Sequence, residues 1–303
     1  MIIPPLIKKG DTIGITATAR KISKEELGDA IALIEEKGYA VKLSTNLFAE
    51  DNQFAGTDEQ RANDLQELIN DPAVKAIIIA RGGYGSMRIA DRIDLKPLQK
   101  NPKWLIGYSD ITVWHSALNC HHIASLHATM PINFTKNIEA TNTLFNFLEG
   151  QVLSYYYPIS DSANRSIFKQ GKATAPIVGG NLSLLYAMQG SITDIDTTGK
   201  ILFIEDLDEY LYHIDRMIVS LKRAGKFEGL AGLIVGGMSD MKDNTVPFGK
   251  TAEQIIASHI KDAKFPVCFD FPCGHIDRNL ALPLGLNATL LVEHNQVSLT
   301  YTS

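Results

Sequence analysis

In the stretch WLIGYSDITVWHSAL an apolar run ends at Gly107, a polar trio follows and a helix begins, with Ser109 at the turn. A serine at the carboxyl end of a strand is exposed, and the helix start behind it offers free N–H groups and a partial positive charge. Both favour an oxyanion beside the serine, the setting of a nucleophile elbow. The segment is not G-x-S-x-G, because Ile111 occupies the second glycine position. The local sequence favours the plainer reading, in which Ser109 or Asp110 only caps the helix.

RGGYG, residues 81–85, follows another buried strand. Glycines there let backbone N–H groups approach a ligand, as a phosphate cradle or half of an oxyanion hole, although a tight turn explains them equally well. Glu205 follows four apolar residues, so it falls at a strand end, where a carboxylate is costly to bury without a partner such as a histidine to orient. Asp206, Asp208 and Glu209 compete for that role, and an acidic loop capping the next helix is the alternative. His275 follows Gly274 in a loop between apolar stretches, where it could act as general base or simply sit at the surface.

These residues need elements to hold them, and the first half of the chain supplies a regular alternation. Thr12–Ala17 reads as a strand. Ser23 and Glu26 form a capping box for a helix with Leu27, Ile31 and Ile34 on one face, and Tyr39–Leu43 reads as the next strand. A second capping box, Thr57 and Gln60, opens a helix stopped by Asp71-Pro72. Val74–Ala80 is a continuous apolar run suited to a strand buried on both faces, and Trp104–Ile106 reads as another. Such alternation predicts a parallel sheet covered by helices on both sides. From about Phe134 to Gly171 periodicity is lost, and this stretch reads as the passage between domains. Beyond it, Ile201–Ile204 and Leu230–Val235 read as strands, Leu211–Ala224 and Lys250–Ala263 as helices, and the tail around His294-Asn295-Gln296 as a hairpin.

Composition narrows the function classes. The chain has 303 residues, of which 45% are hydrophobic and 21% charged, as in ordinary globular proteins. A formal net charge of -5, with basic residues only in short isolated pairs, argues against nucleic-acid binding. Three cysteines, Cys120, Cys268 and Cys273, do not make a disulfide framework. Cys120-His121-His122 lacks metal-ligand spacing, so neither metal nor cofactor is expected. MIIPPLIKKGDTIGI does not read as a signal peptide, and no apolar run approaches the roughly 18 residues of a membrane helix. A cytoplasmic protein is the expectation.

Six stretches in order bring these signals together: GDTIGI near the start, ARGGYGS at 80–86, GYSD at 107–110, GGNLSLL at 179–185, FIEDLDEYLYHIDRM at 203–217 and GH…LPLG at 274–285. In them, over nearly its whole length, the chain resembles the LD-carboxypeptidases, serine peptidases that trim peptidoglycan peptides, and their relatives the microcin C self-immunity peptidases. The resemblance implies an α/β fold: an N-terminal flavodoxin-like parallel-sheet domain (1–150), a linker (151–170) and a smaller C-terminal mixed β/α domain (171–303) carrying the acid and base. It implies Ser109 as nucleophile, Glu205 as orienting acid and His275 as general base, with the oxyanion held by the N–H groups of Gly83 and Asp110. Arg81 and Gly82 are expected at the substrate, Arg81 as a candidate cationic anchor for its terminal carboxylate.

The implied substrate is a murein tetrapeptide ending in D-Ala, met in peptidoglycan recycling, and the implied assembly is a homodimer. Two stretches depart from the family pattern, Ala17-Thr18-Ala19-Arg20 where a Pro-Ser type turn is usual and His127-Ala128-Thr129 where His-Gly-Pro is usual. Both bear on substrate preference. Two other readings stand beside the carboxypeptidase. One is a self-immunity type hydrolase of peptidyl- or aminoacyl-nucleotide amides, with Phe248 as its candidate aromatic. The other is a non-enzymatic α/β protein binding an anion at RGGYG and the helix start at Ser109.

Overall fold

Two helices start where their capping boxes place them. Ser23 Oγ accepts from Glu26 N–H while Glu26 Oε2 accepts from Ser23 N–H at 2.9 Å, and Thr57 with Gln60 repeats the exchange. The computed structural model describes residues 1–159 and 165–302, so 160–164, inside the expected linker, lie outside the described residues. The described chain divides into two compact units, one of residues 1–151 with 277–284 and one of 152–276 with 285 onward.

The first unit runs β1 (Thr12–Thr16), α1 (Lys24–Glu36), β2 (Ala40–Leu43), α2 (Asp58–Asn70), β3 (Val74–Ile79), the single turns α3 (Ser86–Ile89) and α4 (Pro97–Lys100), β4 (Trp104–Gly107), α5 (Thr112–Cys120), β5 (Ser125–His127) and α6 (Ile138–Leu148). The strands pair in parallel in the order β2-β1-β3-β4-β5, and a later strand, Leu282–Leu284, pairs antiparallel with β5. This is the flavodoxin-like order, with its reversal of direction between β1 and β3, where ligands bind in such sheets. Ile77, Ile79, Leu105, Leu65 and Trp114 are among the side chains that close its core.

The stretch from Phe134 onward contains more structure than its lack of periodicity indicated. Asn137 caps α6 by accepting from Ala140 N–H, and Leu144, Phe145 and Leu148 of that helix are buried. The helical pattern was masked because Thr141, Thr143 and Asn146 interrupt it, and Thr141 is itself buried, its hydroxyl satisfied by Phe134 C=O.

The second unit runs β6 (Ser154–Pro158), β7 (Gly171–Asn181), α7 (Leu182–Ala187), β8 (Ile201–Leu207), α8 (Leu211–Arg223), β9 (Gly232–Ser239), α9 (Ala252–His259) and β10 (Val267–Cys268). The chain then supplies β11, the Leu282–Leu284 strand of the first unit, and returns with β12 (Asn287–Val292) and β13 (Gln296–Tyr301). The sheet order is β10-β9-β8-β7-β12-β13-β6, parallel from β10 to β7 and antiparallel beyond. The 11-residue β7 makes this possible, since its first half pairs with β12 and its second half with β8. The observed class is thus the expected one, a flavodoxin-like parallel sheet unit and a mixed β/α unit.

A buried lysine secures the helix beneath β3. The ammonium of Lys103, a residue 1% exposed, donates to the carbonyls of Leu68 and Ile69 at 2.8 Å each, and also to that of Asp71. The last carbonyls of a helix have no partners within it, so this cation both satisfies them and meets the negative end of the helix dipole. Lys103→Met keeps the apolar stem and strands those carbonyls. It is expected to destabilise the protein by about 1–3 kcal/mol, read as a lower urea midpoint at unchanged slope.

Candidate active site

The residues of chemical interest in the first unit sit at the carboxyl ends of β1, β3 and β4. Ser109 follows β4 and Tyr108 with φ 66°, a left-handed conformation that a non-glycine residue rarely takes. Held strain of this kind at a strand-to-helix turn is the mark of a nucleophile elbow and thrusts the side chain outward. The N-cap position of the turn belongs to Tyr108, which makes no side-chain capping bond.

Asp110 has a different task from capping its own helix. Its Oδ2 accepts from Ser86 N–H at 2.8 Å, tying the turn after β4 to the end of the glycine loop after β3. Burial pushes the Asp110 carboxyl above its usual range, against the hydrogen bonds from Ser86 and Gly85 and the charge of Arg61.

The glycine loop lies directly on the turn. A methyl group added at Gly82 would stand 3.1 Å from Ser109 Cβ and 3.3 Å from its Oγ, and one at Gly83 would stand 2.8 Å from Arg20 Cβ. Gly83 also has φ 111°, so a side chain there meets both strain and collision. From below, the buried Arg61 guanidinium donates to Thr18 C=O at 2.6 Å and Gly85 C=O at 3.1 Å, and pairs with Asp58. Thr18 and Ser86 hydroxyls meet at 2.7 Å, and Trp114 Nε1–H donates to Thr18 Oγ1 at 3.2 Å. Arg81 turns to the loop's flank, its guanidinium bound to Glu26 at 3.1 Å and to Lys21 C=O at 3.4 Å.

His115, which no sequence signal singled out, steadies the strand end before Ser109. Its Nε2 lies 2.9 Å from Gly107 C=O, which can only accept, so Nε2 carries the proton and Nδ1 accepts from Ser125 Oγ at 2.8 Å. Burial lowers its pKa to about 4, so it is neutral at pH 7.

In the second unit, the expected acid and base meet. His275 Nδ1 lies 2.6 Å from Glu205 Oε2, and His275 N–H donates to the same oxygen at 3.1 Å. The carboxylate makes Nδ1 the protonated nitrogen and leaves the Nε2 lone pair as the basic one. Desolvation alone would lower the His275 pKa, but the charge of Glu205, its hydrogen bond and the charge of Asp206 together outweigh it, and the value is raised above 6.5.

Two backbone features permit the pair. The β8–β9 register shifts between Ile204 and Asp206, where Gly236 and Gly237 of β9 stand opposite Glu205 alone, and Glu205 and Asp206 are both buried. At Gly274, with φ 105°, an added methyl group would stand 2.7 Å from Glu205 Cβ, so only glycine lets the loop bring His275 onto the carboxylate.

Of the competing acids, Asp208 pairs with Lys242 and Glu209 with His213, both away from His275. Asp206 accepts from Asn181 Nδ2 and from the N–H groups of Ser183 and Leu207, each at 2.9 Å. Burial, then the charge of Glu205, pushes its carboxyl up to about 7, against the hydrogen bonds of Leu207 and Asn181. Sequence reading placed Asp206 only as a rival to Glu205. Its actual partners lie up to 25 residues away, so no local signal marks them.

Among the described residues no group of three or more His, Cys, Asp or Glu side chains could hold a metal ion, and no helix is long and apolar enough to cross a membrane.

Comparison with known proteins places this geometry. Residues 13–128 match the LD-carboxypeptidase N-terminal domain and residues 174–290 the LD-carboxypeptidase C-terminal domain. A protein of Bacillus subtilis named "Probable murein peptide carboxypeptidase" is 35% identical over 95% of this chain and 91% of its own. The murein tetrapeptide carboxypeptidase of Pseudomonas aeruginosa is 26% identical over 92% of each chain. The crystal structure of muramoyltetrapeptide carboxypeptidase from Oxalobacter formigenes superposes with a TM-score of 0.87 at 26% identity, covering 96% of this chain and 99% of that one. Matched by the models for both domains and over nearly its full length by relatives, the chain belongs to the LD-carboxypeptidase family.

Proposed function

We propose that the protein is a serine-type LD-carboxypeptidase that hydrolyses the amide between an L-configured centre and a C-terminal D-alanine in murein tetrapeptides. The observation that carries the reading is the Glu205–His275 pair, a buried carboxylate holding an imidazole in the tautomer a general base requires. The names of the relatives supply the substrate class.

In the proposed reaction His275 Nε2 takes the proton of the Ser109 hydroxyl as Ser109 Oγ attacks the scissile carbonyl. The negative charge on that oxygen is held by the N–H groups of Gly83 and Asp110. His275 then protonates the departing D-alanine nitrogen, and the same histidine draws a proton from water to release the acyl group from Ser109. Glu205 aligns the ring and stabilises the imidazolium. Gly82 contributes by having no side chain, so substrate reaches Ser109 Oγ. Arg81 steadies the loop through Glu26. The nucleophile then belongs to a domain of residues 1–150 and the acid and base to one of 171–303. A cytoplasmic location and a homodimer complete the proposal.

Incubation with L-Ala-D-Glu-meso-diaminopimelate-D-Ala is expected to release D-alanine, followed by mass spectrometry, and Ser109→Ala is expected to reduce the rate by about 10⁴-fold or more. A folded wild-type protein that leaves this peptide intact but cleaves an aminoacyl-nucleotide amide would move the assignment to the self-immunity type.

The pH profile follows from the direction of the His275 shift. The base works only when neutral, and a pKa raised above 6.5 means protonation removes activity earlier as pH falls. The acid limb of kcat/KM is therefore expected to have its midpoint above pH 6.5. Glu205→Gln removes the larger of the two charges that raise the pKa and leaves desolvation, which lowers it, opposed only by the charge of Asp206. The variant's limb should move to lower pH while kcat drops by about 10²–10⁴-fold. An unmoved limb would take His275 out of the base role.

A further inference from the structure

A carboxypeptidase must recognise the free carboxylate one residue beyond the bond it breaks, and an arginine fork is the side chain best matched to that group. Four arginines stand around the glycine loop. Arg61 is buried and bound to Asp58, Thr18 C=O and Gly85 C=O. Arg88 forms two bonds to Asp58, at 2.9 and 2.7 Å. Arg81, next to the loop in sequence, is committed to Glu26 and Lys21 C=O. Arg20 is exposed, and among the described residues its guanidinium makes no hydrogen bond or ion pair.

The position of Arg20 is fixed although its charged end is not engaged. Its N–H donates to Gly82 C=O at 3.3 Å, and its backbone bridges to Phe54 on the other side. Its stem lies over Gly83, where an added methyl group would be 2.8 Å from Arg20 Cβ and 3.5 Å from Cδ. Gly82, one residue earlier, packs on Ser109 Cβ and Oγ. The stem of Arg20 thus rises one residue, about 3.8 Å along the backbone, from the glycine against the serine.

We propose that Arg20 binds the C-terminal carboxylate of the substrate and makes the protein select chains that end in a free acid. The proposal rests on the carboxypeptidase reading above. It gives a task to the Ala17-Thr18-Ala19-Arg20 departure. The β1 end carries a cation over the glycine loop, pinned through its backbone and free to form two hydrogen bonds with a carboxylate.

The test compares the tetrapeptide acid with the same peptide ending in D-alaninamide, using the full chain as wild type, Arg20→Ala, Arg20→Lys and Arg81→Ala. Wild type is expected to favour the acid in kcat/KM by roughly 10- to 100-fold. Arg20→Ala should lose this preference, mainly through a higher KM for the acid, with a much smaller change in KM for the amide. Arg20→Lys should keep part of it, since the charge remains without the fork, and Arg81→Ala should keep all of it. An Arg20→Ala protein with the wild-type acid-to-amide ratio would overturn the proposal while leaving the carboxypeptidase assignment standing. If wild type releases neither D-alanine from the acid nor D-alaninamide from the amide, the assignment itself fails. Calorimetric titration of wild type and Arg20→Ala with the two peptides then decides Arg20 separately, and equal affinity of wild type for acid and amide removes it as an anchor.

Discussion

An ionised carboxylate placed out of water costs several kcal/mol unless hydrogen bonds and opposite charge replace the solvent it loses. Glu205 is fully buried, and what replaces its water is His275, through both its backbone N–H and its ring. The requirement propagates outward. The histidine can reach the carboxylate only because Gly274 has no side chain, and the β8–β9 register shifts at the carboxylate itself, with two β9 glycines, Gly236 and Gly237, opposite Glu205. Asp206, buried next to Glu205, needs its own partners and finds them at Asn181 and the start of α7.

The first unit obeys the same rule with other residues. Asp110 is buried at the turn after β4 and its carboxylate takes the Ser86 N–H. Arg61 is buried below the loop and takes two carbonyls from segments that follow β1 and β3. These bonds link three strand ends that the sheet places side by side. The strained backbone at Ser109 persists because its neighbours on both sides are held in this way, Gly107 by His115 and Asp110 by Ser86. Lys103 extends the pattern to the far end of α2, where an ammonium meets helix carbonyls that no backbone donor reaches.

Much of this was legible along the chain. The capping boxes of α1 and α2, the apolar runs of β3 and β4 and the closing hairpin of β12 and β13 stand where local patterns put them, because each is decided by residues within a few positions of one another. Ser109 and Glu205 drew attention for a related reason, since a polar residue at the end of an apolar run is visible at short range, and His275 as a histidine in a loop between apolar stretches. The α6 helix was hidden because its buried face includes Thr141, whose hydroxyl is satisfied by the carbonyls of Phe134 and Asn137 before the helix.

What the sequence determined by itself was therefore the succession of elements outside the stretch from Phe134 to Gly171, the class of fold and the polar residues stationed at the ends of apolar runs. Tertiary structure alone decided which carboxylate meets the histidine, which way Asp110 turns and which arginine remains unengaged. Glu205 and His275 are 70 positions apart and Asp110 and Ser86 are 24 apart. Arg81 finds Glu26 and the Lys21 carbonyl within reach and Arg20 finds neither. Hydrogen bonds and ion pairs act over about 3 Å, and a chain read in one dimension does not contain those distances.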